Sequence, residues 1–238
     1  VTTLPLTGER TGPGVPRENY WFRRHEAAYR WVVRHLDVAG RVLVDAGVGE
    51  GYGGQALAEA GAAVVLGLDL DQPTVLHVAR TYPGVAPVRA NLVSLPCADA
   101  SVDVVVSSQV VEHLWDQEAF VAECARVLRP GGRAVLTTPN RLTFPPGNPF
   151  HSRELDAAEL AALLATRLDV AAVHGVHHGP RLAGLDAALG GLVGRQLATD
   201  PGEWAPALRR AVASVAADDF TVGEAAGSLD LVAVGVRG

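Results

Sequence analysis

Cysteine is scarce in this chain: two residues in 238, Cys97 and Cys124, with no CxxC pair. That leaves no material for a disulfide framework or a cysteine-ligated zinc site, and it fits a reducing compartment, so a cytoplasmic location is expected. Methionine is absent, and Val1 is read as an alternative start. No apolar run approaches the roughly 18 residues that cross a bilayer, so no membrane span is expected. The N-terminus shows no basic, then apolar, then small-residue pattern, which argues against secretion. Positive charge is short as well: 20 Lys and Arg face 26 Asp and Glu, a formal net charge of -6. A surface of that sign repels a phosphate backbone, which disfavours a nucleic-acid partner. No internal repeat or low-complexity linker divides the chain. What is abundant is apolar surface, 48% of residues, enough for a sizeable core in one α/β domain.

The chain is organised around RVLVDAGVGEGYGG, residues 41–54. A short apolar run, Arg41 to Asp45, reads as a strand ending in an acid. The turn that follows carries Gly47, Gly49 and Gly51. Such a strand-to-helix turn aims backbone N–H groups at a ligand, and glycine lets that ligand approach closely. The G-x-G-x-x-G dinucleotide fingerprint is missing. Asp45 would repel a pyrophosphate and suits an ammonium-bearing ligand instead. A second apolar strand, Ala63 to Asp69, ends in another acid, placed to accept hydrogen bonds from the two hydroxyls of a ribose. Asp71 reads as a helix N-cap with Pro73 in the first turn.

Periodicity places the remaining elements. Phe22, Tyr29, Val32, Val33 and Leu36 recur at helical spacing, predicting a helix over Asn19 to Leu36. Further strands are expected at Val85 to Val88, Asp103 to Ser107, Ala134 to Thr138, Leu168 to Val173 and Leu229 to Val236. Asp116 caps a helix whose apolar stripe includes Cys124, a core position. Asp156 and Glu159 form a capping box for a helix reaching about Thr166. Two helices are expected between Leu182 and Ala217, separated by ATDPGEW. Ligands of an open parallel sheet lie beyond the strands' carboxyl ends. That puts Gln109, Glu112 and His113, the proline-stiffened loop from Thr138 to His151, and HGVHHGPR on one rim.

VLVDAGVGEGYGG, VVLGLDLD, LPCADASVDVVVSSQVVEHL and ARVLRPGGRAVLTTPN together resemble a class I S-adenosylmethionine (SAM) dependent methyltransferase. The resemblance implies an α/β, Rossmann-like sheet of seven strands with the last one antiparallel, helices on both faces, and a small helical insertion before the last strand. Its parts would be an N-terminal arm and lid helix (1–40), a cofactor-binding core (41–173), an acceptor or cap insertion (174–226) and the last strand (227–238). SAM would be held by Asp45, Gly47, Gly49, Gly51, Asp69, Leu70, Asn91, Leu92 and Gln109. The family usually has an aspartate-hydrophobic pair at the adenine; here it is Asn91-Leu92, and the asparagine oxygen still accepts a hydrogen bond.

A narrower resemblance, carried by LPLTGERT, ENYWFRRHE, EHLWDQ, TPNRLTFPPGNPFH and HHGPRL, is to actinobacterial sugar O-methyltransferases of polymethylated mannose or glucose polysaccharide biosynthesis. It implies a sugar or oligosaccharide acceptor, foremost a partly methylated mannoside at its reducing-end hydroxyl. Glucose-based polysaccharides and glycosylated cofactors stay open, as does a homodimer. Tyr20, Trp21, Arg24, Arg141, His174, His177, His178 and Arg181 are the candidate acceptor contacts, with Tyr20, Trp21, Arg24 and His25 on the lid helix. A sugar hydroxyl needs a base or a metal ion to become nucleophilic. His151, favoured slightly, and His113 are the candidate bases. Gln109, Glu112 and His113, at i, i+3 and i+4, resemble a magnesium site of some quinone-biosynthesis O-methyltransferases, so Mg2+ held by Glu112 and His113 is the competing route. A non-catalytic SAM-binding partner protein and a nicotinamide oxidoreductase are the readings from other classes.

Overall fold

The computed structural model describes residues 10–238; the first part of the expected N-terminal arm lies outside the described residues. A helix α1 (Asn19–His35) precedes β1 (Val42–Ala46), α2 (Tyr52–Glu59), β2 (Val64–Asp69), α3 (Gln72–Thr81) and β3 (Ala86–Arg89). Then come β4 (Val102–Ser108), α4 (Gln117–Val127), β5 (Leu128–Pro139), α5 (Ala157–Ala165) and β6 (Asp169–His178). Helices α6 (Pro180–Leu189), α7 (Leu192–Ala198) and α8 (Pro206–Ser214) lead to β7 (Phe220–Glu224) and β8 (Asp230–Val236).

The strands form one sheet in the order β3-β2-β1-β4-β5-β8-β6-β7. β1 to β5 are parallel, and β8 runs antiparallel between β5 and β6. Alternate residues of each central strand enter opposite cores, as a pleated strand requires. Leu43, Val104 and Val135 pack with Tyr29 and Val32 of α1 and Leu57 of α2. Val44, Val105 and Leu136 pack with Phe120 and Val121 of α4 and Leu160 and Leu164 of α5. Being covered on both faces explains why these strands read as continuous apolar runs. Cys124 lies in the second core, 1% exposed, and burial pushes its thiol well above the ordinary range.

The sequence expectation of a doubly wound sheet with an antiparallel last strand holds, with two corrections. Among the described residues the sheet has eight strands, because β7 forms between the expected helices and the last strand, where no strand was expected. It pairs antiparallel with β6 from His174↔Glu224 to His178↔Phe220. That pairing carries β6 on to His178 instead of stopping at Val173. The insertion also holds three helices instead of two, because Gly190 and Gly191, at φ +68° and +98°, end α6 before α7 begins. The expected caps at Asp116 and Asp156 are present, the latter as a full capping box with Glu159. Asp71 occupies the N-cap position of α3, but its carboxylate takes the Thr74 hydroxyl and the Arg10 guanidinium.

Candidate functional site

The parallel strands end together, so the loops after β1, β2, β4 and β5 share one edge. After β1 the chain turns through Gly47, Gly49 and Gly51 at φ +84°, +51° and +104°. A Cβ at Gly47 would lie 2.4 Å from Val110 Cγ2, and one at Gly51 2.6 Å from Tyr82 Cδ2. Glycine is therefore required there by both conformation and space. This turn lines a cavity of about 420 Å³ together with Asp69, Leu70, Asn91, Leu92, Gln109 and His113. Asp69 braces the wall: Oδ2 accepts from Gly49 N–H at 3.2 Å and Oδ1 from Asp71 N–H at 2.9 Å.

Asp45 stands elsewhere. It is fully buried behind the turn, where Oδ1 accepts the Tyr29 hydroxyl at 2.8 Å, and it is not among the residues lining the cavity. The Tyr29 ring crosses α2 at Gly53, where a Cβ would come within 2.1 Å of Cζ. Burial pushes the Asp45 carboxyl from its ordinary 3.8 up to about 7, against the Tyr29 hydrogen bond, which pulls the other way. Between these values the folded chain holds a proton that the unfolded chain has released. Stability from this group therefore falls as pH rises from about 4 to about 7. In urea unfolding of the ligand-free protein, Asp45→Asn should gain stability relative to the parent at pH 7.5 compared with pH 5. An equal difference at both pH values would mean that Asp45 stays ionised in the fold.

A second cavity, about 250 Å³, adjoins the first and shares Thr11, His25 and Gln109 with it. Its walls come from α1 (Trp21, Arg24), the loop after β5 (Phe144, Asn148, His151) and the insertion (Gln196, Leu197, Trp204). Three side chains stand where the cavities meet. Glu112 and His151 line the smaller cavity and His113 the larger. One donor atom from each lies within 4.8 Å of the others. Glu112 is 1% exposed and accepts from Thr138 Oγ1 at 3.0 Å; burial pushes its carboxyl up to about 8. His151 Nδ1 meets Glu154 Oε1 at 2.7 Å, its Nε2 meets Asn148 Nδ2 at 3.0 Å, and His113 Nδ1 meets Phe150 O at 3.0 Å.

These donors do not fit the expected Mg2+. That ion wants oxygen ligands in near-octahedral array, and this set offers one carboxylate and two imidazoles. Gln109, expected beside it, instead donates from Nε2 to Thr137 Oγ1 at 3.2 Å from a backbone held at φ +56°.

Of the expected acceptor contacts, Trp21 and Arg24 line the smaller cavity, and Arg24 is also ion-paired in the interior with Asp230. Tyr20 does not reach it: the ring is fully buried and its hydroxyl meets His178 Nε2 at 2.7 Å. His178 borders a neighbouring depression with Arg24 and Phe144. His174 packs on Trp31, and His177 Nε2 meets the Glu224 carbonyl at 2.7 Å. Arg181 pairs with Asp219, and Arg141 with Asp156 and Glu159. None of these last four lines either cavity. The three histidines were expected on a rim loop, but β6 continues through them, and alternation along a strand sends their side chains onto the sheet faces. Sequence reasoning missed Thr11, Glu154, Gln196, Leu197 and Trp204. Only Glu154, three residues after His151, left a local signal.

A family model described as "Methyltransferase domain" matches residues 44–136, from β1 into β5. A protein of Mycolicibacterium smegmatis named "Probable S-adenosylmethionine-dependent methyltransferase" is 52% identical over 250 residues, 99% of this chain and 96% of that one. A protein of Mycobacterium tuberculosis strain H37Rv, similarly named, is 48% identical over 251 residues, 98% of this chain and 90% of that one. Among solved structures, a geranyl diphosphate methyltransferase in complex with SAM matches at TM-score 0.62 and 19% identity, over 97% of this chain and 94% of that one. A SAM-dependent methyltransferase of Mesorhizobium loti matches at 0.60 and 18%, over 90% and 100%. At such identities the structural likeness establishes the fold alone, the Rossmann-like sheet of class I methyltransferases.

Proposed function

This chain belongs to the SAM-dependent methyltransferases, and from that premise we propose that it transfers the methyl group to a sugar hydroxyl. The acceptor is a partly methylated mannoside, attacked at its reducing-end oxygen. One observation carries this reading: the two cavities meet at Gln109 and His25, with Glu112, His113 and His151 gathered at the meeting point. SAM takes the larger cavity. Its methionine end lies along Gly47 to Gly51, its ribose at Asp69, and its adenine against Leu70, Asn91 and Leu92. Asp45 supports the turn from behind. The acceptor takes the smaller cavity, where Trp21, Phe144 and Trp204 offer apolar faces to a sugar ring and to methyl groups already on it.

Transfer is an in-line displacement. The acceptor oxygen bonds to the methyl carbon as the carbon–sulfur bond breaks, and the cationic sulfonium leaves as the neutral thioether of S-adenosylhomocysteine. Holding the oxygen opposite sulfur supplies several kcal/mol of the barrier. The hydroxyl must also give up its proton, and the Glu112, His113 and His151 group at the junction is suited to assist.

Incubation with SAM and a panel of short mannosides and glucosides, methylated and unmethylated, tests the proposal by mass spectrometry. One added methyl on the reducing-end sugar of a mannoside is expected. Transfer only to glucosides or to a glycosylated peptide cofactor would change the acceptor, and tight cofactor binding with no sugar labelled would overturn the sugar reading. For the donor half, Asp69→Ala should weaken S-adenosylhomocysteine binding by about tenfold or more, ~1.4 kcal/mol, read by calorimetry. Unchanged affinity would remove Asp69 from the ribose.

A further inference from the structure

We propose that Glu112, His113 and His151 form a binding site for one divalent d-block ion of the manganese-to-zinc series. It rests on the reading above only in placing the acceptor hydroxyl beside that ion. The donor set is two imidazoles and one carboxylate, with one atom from each within 4.8 Å of the others. Imidazole suits zinc, iron, cobalt and nickel, and two histidines with one carboxylate on one side of an ion leave its other positions open.

What surrounds the three ligands points the same way. A histidine that binds a metal through one ring nitrogen donates its other N–H to a carboxylate or a backbone carbonyl, which fixes its tautomer and orientation. Both histidines are held in this manner. His151 Nδ1 meets the Glu154 carboxylate at 2.7 Å and His113 Nδ1 meets the Phe150 carbonyl at 3.0 Å. With the proton on Nδ1, the lone pair of each ring is on Nε2. At His151 the Asn148 amide donates to that lone pair at 3.0 Å, a hydrogen bond that an ion bound there would replace. The Glu112 carboxylate is likewise steadied, by Thr138 Oγ1 at 3.0 Å. Glu112 and His113 come from the turn after β4, while His151 and Glu154 come from the far end of the loop after β5. Backbone bonds hold the two segments together, Ser152 N–H and Arg153 N–H both donating to the Glu112 carbonyl, at 2.8 and 3.2 Å.

An ion held by these three would stand between the two cavities, since Glu112 and His151 line the smaller and His113 the larger. A sugar hydroxyl bound there is polarised by the ion, and a vicinal oxygen of the same sugar can take a second position. The proton leaves to cavity water, so the methyl balance stays as written above. Glu154 then positions His151 and does not itself touch the acceptor.

The test uses the full chain stripped with a chelator and then titrated with Co2+. Calorimetry gives stoichiometry and affinity, and the visible absorption of bound Co2+ reports its ligands without any turnover. One equivalent is expected, with Mg2+ at least about a hundredfold weaker. His113→Ala and His151→Ala, checked for folding by thermal melting, should each weaken Co2+ by more than about tenfold. Glu154→Gln should weaken it by about tenfold while leaving the ligand count unchanged. His174→Gln, on a histidine packed against Trp31 outside both cavities, should leave it unchanged.

Absence of stoichiometric binding, or binding indifferent to both histidine variants, would overturn the proposal. So would Mg2+ binding as tightly as Co2+. Co2+ bound as described with no sugar methylated would sink the sugar reading and leave this one standing. Undiminished sugar methylation by the stripped protein would leave the sugar reading standing and remove the ion from activation of the acceptor.

Discussion

Replacing Asp230 with alanine should destabilise the protein by about 3–5 kcal/mol. Arg24 of α1 and Asp230 at the start of β8 are each 2% exposed and form a two-pronged ion pair, with Arg24 Nη2 also donating to the Leu229 carbonyl at 2.9 Å. Removing the carboxylate strands a guanidinium in the interior, and arginine cannot shed its charge to escape. Set against a typical total of about 5–15 kcal/mol, that loss is a large share of the stability. Replacing both partners with apolar residues of similar size should recover much of it, since the penalty comes from an unmatched charge. Arg24 also lines the smaller cavity, so Asp230→Ala should loosen that wall as well as the fold. Urea unfolding of the single and double variants checks this. A single variant that loses less than about 1 kcal/mol would mean that water reaches the pair.

His151→Ala should lower turnover by about a hundredfold or more while leaving cofactor affinity close to the parent's. Its side chain is 5% exposed, tied through Nδ1 to Glu154, and faces the smaller cavity. It is not among the residues that line the larger cavity with the glycine turn and Asp69. The expected split is therefore a fall in single-turnover rate at saturating SAM, with calorimetric affinity for S-adenosylhomocysteine preserved. Near-normal turnover would move activation of the acceptor to His113, whose ring centroid lies 5.0 Å away. A parallel loss of cofactor affinity would mean that the loop after β5 also shapes the larger cavity.

Much of the larger cavity was legible in the sequence because it is built locally. Asp45 and Asp69 lie at the carboxyl ends of β1 and β2 and the glycines follow β1 directly, and an apolar run that ends in an acid or a glycine announces where the backbone turns. Asp45 shows where that legibility stops: its position in the chain was readable, but Tyr29, reaching over from α1, decides that it is buried and held behind the wall. The acceptor side was far less legible, since its walls come from α1, the loop after β5 and the insertion, segments far apart in sequence that no local pattern links.

From its sequence alone, the chain determined a doubly wound sheet, the glycine turn beyond β1 and its family, because these rest on short-range periodicity and on residues a few positions apart. Two things were decided only by the tertiary structure. The pairing of β6 with β7 drew His174, His177 and His178 into a strand, because a strand's length depends on the partner it finds. The approach of two loops brought Glu112 and His113 to His151, because side chains nearly forty residues apart meet only when the sheet between them is complete.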